Sequence, residues 1–159
     1  MNGIGGSKFA PAGVATRAMV ITTLYRLEGS PAVSGKTSFS DVEEGSWYTD
    51  AVIWATEKGI TKGIGGGKFA PAAEITREQI VVMFYRYLEM KDVNVSAAND
   101  LKKYVDASQV SEWALAEMKW AVGVGFINGR TESLLAPGAN AQRSELATLI
   151  MRMCKNLLK

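Results

Sequence analysis

The stretch Gly63-Ile64-Gly65-Gly66-Gly67-Lys68-Phe69-Ala70-Pro71, continued by Ile75-Thr76-Arg77-Glu78, decides how this chain is read. It has already occurred once, sixty residues earlier, as Gly3-Ile4-Gly5-Gly6-Ser7-Lys8-Phe9-Ala10-Pro11 and Thr16-Arg17. A worn third copy follows sixty-six residues later, with Gly129, Pro137 and Gln142-Arg143 at matching spacings. Repetition at this period means one supersecondary unit used several times, so any site built on it should recur too.

The second copy is the fullest. It opens Phe39-Ser40-Asp41-Val42, and Trp47, Ala51, Trp54 and Ala55 then fall on one apolar stripe of helical spacing. Gly59 marks the end of that helix, and the run from Gly63 to Pro71 is too rich in glycine for a regular element. A second helix starts near Thr76, with Ile80, Val81, Phe84 and Leu88 on its buried face. Thr76 and Gln79 have the spacing of a capping box.

The third copy repeats this plan through Tyr104-Val105-Asp106, Trp113, Trp120, Gly125 and Gly129, with Leu146, Leu149, Ile150 and Met153 turned inward. The first copy has only its loop and second helix, where Val20, Ile21, Leu24 and Leu27 face the core. Five helices and no convincing strand predict an all-α protein. The copies are expected at 1–32, 39–92 and 101–159, packed as one compact array.

Composition excludes much. No apolar run approaches ~18 residues, so no bilayer span is expected. Eighteen basic and sixteen acidic residues leave a net charge of only +2, too balanced for a nucleic-acid binder. With no histidine and one cysteine, catalytic triads, Cys-His dyads and zinc clusters are out, and no metal or cofactor is expected. Cys154 aligns with Leu88 and reads as a packed thiol. Met1 directly precedes a loop whose two relatives each follow a helix, so the chain reads as a fragment and a missing export signal carries no weight.

The run Phe39-x-Asp41-Val42, Trp47, Gly59-Ile60, Gly63, Gly67-x-Phe69-x-Pro71, Ile75-Thr76-Arg77-Glu78 closely resembles the S-layer homology (SLH) domain. Its end is similar to that family's Ile-Thr-Arg-Ala-Glu signature, with Glu78 one position early. Copy one reads Thr16-Arg17-Ala18-Met19, without the acid, and copy three reads Gln142-Arg143-Ser144-Glu145, without the threonine. The resemblance implies a pseudo-threefold bundle with first helices packed centrally and grooves between neighbouring copies. It implies an extracellular module, on the bacterial cell surface, that binds anionic, often pyruvylated, secondary cell-wall polysaccharide without covalent chemistry. The signature arginine is associated with recognition of the charged sugar.

The residues themselves suit that chemistry. Arg17, Arg77 and Arg143 each stand at about the first helical position, where a cation opposes the helix dipole by ~0.3–1 kcal/mol. A ligand carboxylate would explain all three, since free N–H groups, the dipole and a bidentate guanidinium would converge on it. The alternative is that each arginine pairs with a carboxylate of the neighbouring copy and holds the array together. The resemblance favours the ligand, with the groove containing Arg77 as the main site. Thr16, Thr76 and Glu78 belong to the same signature, and Gly63 and Gly65 permit close approach of a neighbour or sugar. Trp47 and Trp113 could stack on a sugar, or could belong to the core.

Arg26, Arg86 and Arg152 recur nine residues after the first set, about 900° around the helix and so on its opposite side; they read as structural. Asp41 and Asp106 read either as caps of the first helices or as groove formers. Two other functions compete. One is a protein-interaction scaffold, in which the missing first helix of copy one leaves apolar surface for a second copy of the chain. The other is a glycosidase using Glu43-Glu44 and Glu78, disfavoured because nothing sets two of these carboxylates across a cleft.

Overall fold

The computed structural model describes residues 10–96 and 99–158, so the first copy's glycine loop, including Lys8 and Phe9, lies outside the described residues. Among the described residues there are five α-helices, α1 (Arg17–Leu27), α2 (Thr49–Glu57), α3 (Arg77–Met90), α4 (Leu115–Gly123) and α5 (Arg143–Arg152). Short 3-10 turns at Ala107–Gln109 and Glu112–Ala114 precede α4, and a π-helical turn at Met153–Leu157 follows α5. Only isolated β-bridges occur among the described residues, so the all-α reading holds.

The copies are joined by a closed ring of backbone hydrogen bonds. The Ala15 amide donates to the Ala141 carbonyl at 2.8 Å, Ala141 to Ile75 at 2.8 Å, and Ile75 back to Ala15 at 3.0 Å. All three residues are buried, so each bond replaces solvation that the amides have lost. The bridges Val14–Gln142, Thr16–Glu74 and Thr76–Asn140 extend the ring outward. The three preceding turns share one geometry, with Ala10, Ala70 and Ala136 at φ of 51°, 57° and 54°.

Around this ring two of the second helices pack on the first helix of the following copy, α1 on α2 and α3 on α4. The first helices therefore make their closest packing to second helices rather than to one another. Trp54 on α2 sits 5.7 Å from the Tyr25 ring on α1 and 6.4 Å from Tyr87 on α3. Its counterpart Trp120 packs at 5.2 Å on Tyr85 and 5.5 Å on Phe126. Large apolar side chains buried in this way are each worth about 1.5–3 kcal/mol.

Some expected core positions are not core. Trp47 precedes α2, which begins only at Thr49, and is 58% exposed; Trp113 lies on a 3-10 turn and is 53% exposed. Leu27 closes α1 on the solvent side. Cys154 is an exposed free thiol, because the chain widens into the π-turn there and Met153 takes the buried place.

Asp41 and Asp106 do not cap helices. Asp41 accepts from the Phe69 and Ala70 amides, both at 2.8 Å, and Asp106 from Leu135 at 2.8 Å and Ala136 at 2.7 Å. Each pins its glycine loop onto the chain that opens the copy. Burial pushes these carboxyls up, but the two loop amides, each aspartate's own amide and a nearby cation (Lys68 or Arg77) together outweigh it and hold each below the ordinary aspartate value. A depressed carboxylate contributes stability above its unfolded pKa of about 3.9 and loses it as pH falls through the folded value. Asp106→Asn, whose amide oxygen can serve only part of this pair, should therefore cost about 1–3 kcal/mol at neutral pH and flatten the acid limb of stability. Denaturant unfolding between about pH 2 and 7 tests this; an unchanged acid limb contradicts it.

Candidate functional site: two grooves between copies

The second helices begin at Arg17, Arg77 and Arg143, as the spacing predicts, yet their free N–H groups are already used. Arg17 N donates to Ala73 O at 3.0 Å, Arg77 N to Ala139 O at 2.9 Å and Arg143 N to Gly13 O at 2.8 Å. The next amides, of Ala18, Glu78 and Ser144, reach the Pro71, Pro137 and Pro11 carbonyls. The Thr16 and Thr76 hydroxyls accept from Met19 N and Gln79 N, both at 3.3 Å. Capping thus accounts for both threonines, and helix termini cannot receive a ligand carboxylate as expected.

The arginine side chains are also not open to the outside. Arg17, Arg77 and Arg143 are each 4% exposed, laid back between copies. Arg17 Nε donates to the Phe69 carbonyl at 2.8 Å, with the guanidinium 5.0 Å from the Phe69 ring centre. Arg77 Nε donates to Leu135 O at 3.1 Å, Nη2 to Asn128 O at 2.6 Å, and Nη1 to the Glu145 carboxylate. Arg143 Nη1 lies 3.5 Å from Met19 Sδ. In each case the arginine clasps material from the following copy, the loop for Arg17 and Arg77. A lock onto a neighbouring acid, the alternative weighed from sequence, holds for Arg77 but not for Arg17.

Two cavities border these clasps, in equivalent places. One, of about 360 Å³, is lined by Arg17, by the loop from Ile60 to Ile64, by Gln79, Val82, Met83 and Arg86 of α3, and by Trp113. The other, of about 230 Å³, is lined by Arg77, by Ile127 to Arg130, and by Ser144, Glu145, Thr148, Leu149 and Arg152 of α5, among others. The match is positional: Gly63 answers Gly129, Gln79 answers Glu145 and Arg86 answers Arg152. Gly63 is required there, since at φ 77° a Cβ would overlap the Lys68 carbonyl and the Phe39 ring.

Sequence reasoning read Arg86 and Arg152 as structural, and Arg152 does bond the Phe126 carbonyl, yet both also line these cavities. They do face away from Arg77 and Arg143 on their own helices, but that side borders the arginine of the preceding copy. Their threefold recurrence was the available signal.

Electrostatics separates the two cavities. Three cations, Arg17, Lys62 and Arg86, line the first, with no acidic residue in its described lining. None of the three makes an ion pair among the described residues. Burial pushes the Arg17 guanidinium down from its ordinary value, opposed only by Asp41, whose carboxylate already serves two backbone amides. In the second cavity every cation is engaged. Arg77 is held by Glu145, Arg130 bonds the Asn140 carbonyl at 2.7 Å and lies 3.3 Å from Glu145, and Arg152 bonds Phe126 O at 2.9 Å. No aromatic residue lines it, whereas Trp113 walls the first.

Glu78 and Gly65 border neither cavity. The Glu78 carboxylate, 7% exposed, accepts from Ser111 N at 3.0 Å and from Ser111 Oγ at 2.9 Å. Gly65 pairs with Lys68 in the loop's own turn, and Trp47 rests edge-on against Tyr48 at 5.2 Å. No group of three or more potential metal ligands occurs among the described residues, and no described helix is long and apolar enough to cross a membrane.

The S-layer homology domain family model matches residues 38–81 and 103–147. The chain belongs to the SLH family. Relatives include a surface-layer 125 kDa protein of Lysinibacillus sphaericus, 30% identical over 148 residues that cover 90% of this chain and 12% of that protein. A cellulosome-anchoring protein of Acetivibrio thermocellus is 29% identical over 156 residues, 96% of this chain and 34% of that protein. An amylopullulanase of Thermoanaerobacterium thermosulfurigenes is 30% identical over 154 residues, 94% of this chain but 8% of the enzyme. The chain thus spans a small part of each of these relatives, and in the amylopullulanase the likeness is confined to the SLH region.

Removing Glu78 should weaken the fold without touching either cavity. Glu78→Ala leaves the Ser111 amide unserved at the turn leading into α4, a loss of about 1–3 kcal/mol in denaturant unfolding. Stability equal to the parent chain would show that the Glu78–Ser111 contact holds nothing.

Proposed function

We propose that this chain is a non-catalytic SLH anchoring module at the bacterial cell surface that grips an anionic secondary cell-wall polysaccharide, with the cavity beside Arg17 as its principal groove. The carrying observation is the combination of three cations, none of them in an ion pair among the described residues, with a half-exposed tryptophan around one cleft. An acidic sugar presents a carboxylate for the cations and an apolar ring face for the indole. Arg17 remains charged at any physiological pH, and a ligand carboxylate in the adjoining cavity would complete the hydrogen bonding of its buried guanidinium. Sequence reasoning put the main site at Arg77; the Glu145 contact favours the Arg17 groove instead. A ketal-linked pyruvate would supply such a carboxylate on an otherwise neutral sugar.

The relatives' names fit this reading. One is named as a surface-layer protein and another as an anchoring protein, and all three share with this chain the SLH region.

Purified cell walls, before and after removal of the non-peptidoglycan polymer, provide the test. The chain should sediment with intact walls and remain in solution with stripped ones. Trp113→Ala and Lys62→Ala alter exposed side chains and should each weaken wall binding by about 3- to 30-fold while leaving the melting temperature nearly unchanged. Equal binding to stripped walls, or no effect from either variant, would contradict the proposal.

A further inference from the structure

The third copy's loop carries a chemical liability that the second copy's does not. Asn128 and Gly129 stand where copy two has Lys62 and Gly63. The fold demands glycine at both places, since a Cβ on Gly129 would overlap the Thr131 and Leu134 carbonyls and the Tyr104 ring. An asparagine is least shielded from its own backbone when glycine follows it, because no Cβ screens the next amide nitrogen.

That nitrogen can attack the side chain, and the reaction needs only water. The Gly129 nitrogen loses its proton and bonds to Asn128 Cγ. The Cγ–Nδ2 bond breaks, and ammonia leaves with that proton to give a cyclic imide. Water then opens the imide at either carbonyl. The product is aspartate at 128, or an isoaspartyl link in which the main chain runs through Cγ. Asn128 is exposed, so water is at hand.

Every part that must move is nevertheless held. The Gly129 amide donates to the Tyr104 hydroxyl at 3.1 Å, and Tyr104 is buried. The other end of the same peptide group, Asn128 O, accepts from Arg77 Nη2 at 2.6 Å. The carboxamide fits its surroundings with the oxygen facing Arg152 Nη2 and the nitrogen facing the Ile127 carbonyl, each at 3.2 Å. Cyclisation turns the peptide group towards the side chain and so breaks the Tyr104 and Arg77 bonds together. Arg77 comes from copy two, so the peptide is clamped only while copies two and three stay joined.

We propose that Asn128–Gly129 is a site of spontaneous deamidation, kept unreactive by the clamp of Tyr104 and Arg77, whose isoaspartyl product makes opening of this join irreversible. That product inserts an extra main-chain atom beside Gly129, where there is no room even for a Cβ. A loop that has reacted this way cannot return to the Arg77 clasp. Copy two's loop has no carboxamide at the matching position and recloses unchanged. The rate in the folded chain is then the open fraction multiplied by the rate of the free chain.

The test incubates the purified chain at mildly alkaline pH, folded and in denaturant. Peptide mapping by mass spectrometry follows Asn128 separately from Asn2, the chain's other asparagine before glycine. The folded chain should convert Asn128 more slowly than the denatured chain by about tenfold or more. Tyr104→Phe removes only the hydroxyl and should speed conversion in the folded state by about 3- to 10-fold, the worth of one hydrogen bond. Arg77→Lys keeps a charge for Glu145 but cannot fork to the carbonyl, and should act likewise. Asp41→Asn loosens copy two's loop instead and should stay within about twofold of the parent rate. The isolated isoaspartyl form should melt below the parent chain. Equal rates in folded and denatured chain, no acceleration by Tyr104→Phe or Arg77→Lys, equal acceleration by Asp41→Asn, or an isoaspartyl form that melts with the parent would each overturn the proposal.

Discussion

Three amides, at Ala15, Ile75 and Ala141, each bonded to the carbonyl of another in a closed cycle, fix the geometry on which the rest of the molecule depends. The cycle sets the start of every second helix against the turn of a neighbouring copy. Neighbouring carbonyls then take up the first two amides of each helix, so the arginine at the first position cannot cooperate with its own helix terminus. It is carried across the boundary instead, against the following copy. The grooves are thus products of the join, and each contains side chains from more than one copy.

Because the backbone frame repeats so closely, differences between grooves arise from single side chains. Glu145 pairs with Arg77, whereas its counterpart Gln79 brings no acid to the cavity beside Arg17. Trp113 walls one cavity from the third copy, while the Arg77 cavity contains only aliphatic and polar neighbours. The smaller cavity is also the one with every cation engaged. Duplication has preserved the scaffold while leaving one groove with an acid on its buried arginine and the other with no acid in its described lining.

Much of the frame was legible in the sequence, since it depends on local periodicity. The helix, glycine-loop, helix plan, the Thr76 capping box and the buried faces of α1, α3 and α5 could be read from spacing, except for Leu27 and the half-buried Ile150 at their margins. Long-range facts were not legible. Nothing local reveals that the Arg77 amide meets the Ala139 carbonyl, so helix starts that read as anion sites prove to be occupied. Trp47 fitted a stripe that the helix does not honour, because α2 begins two residues later. The early acid at position 78 was visible, but its meaning required knowing that Gln79 borders the arginine of the preceding copy. The opposite side of α3, correctly assigned to Arg86 by rotation, likewise became a groove only once its neighbour was in place.

The most direct measurement is a crystal structure of the chain with an acidic oligosaccharide released from the wall polymer. The account predicts the sugar carboxylate against the Arg17 guanidinium and Lys62, a ring face over Trp113, and Glu145 still holding Arg77. A carboxylate bound at Arg77 with Glu145 displaced, or a glycan seated away from both clefts, would contradict it.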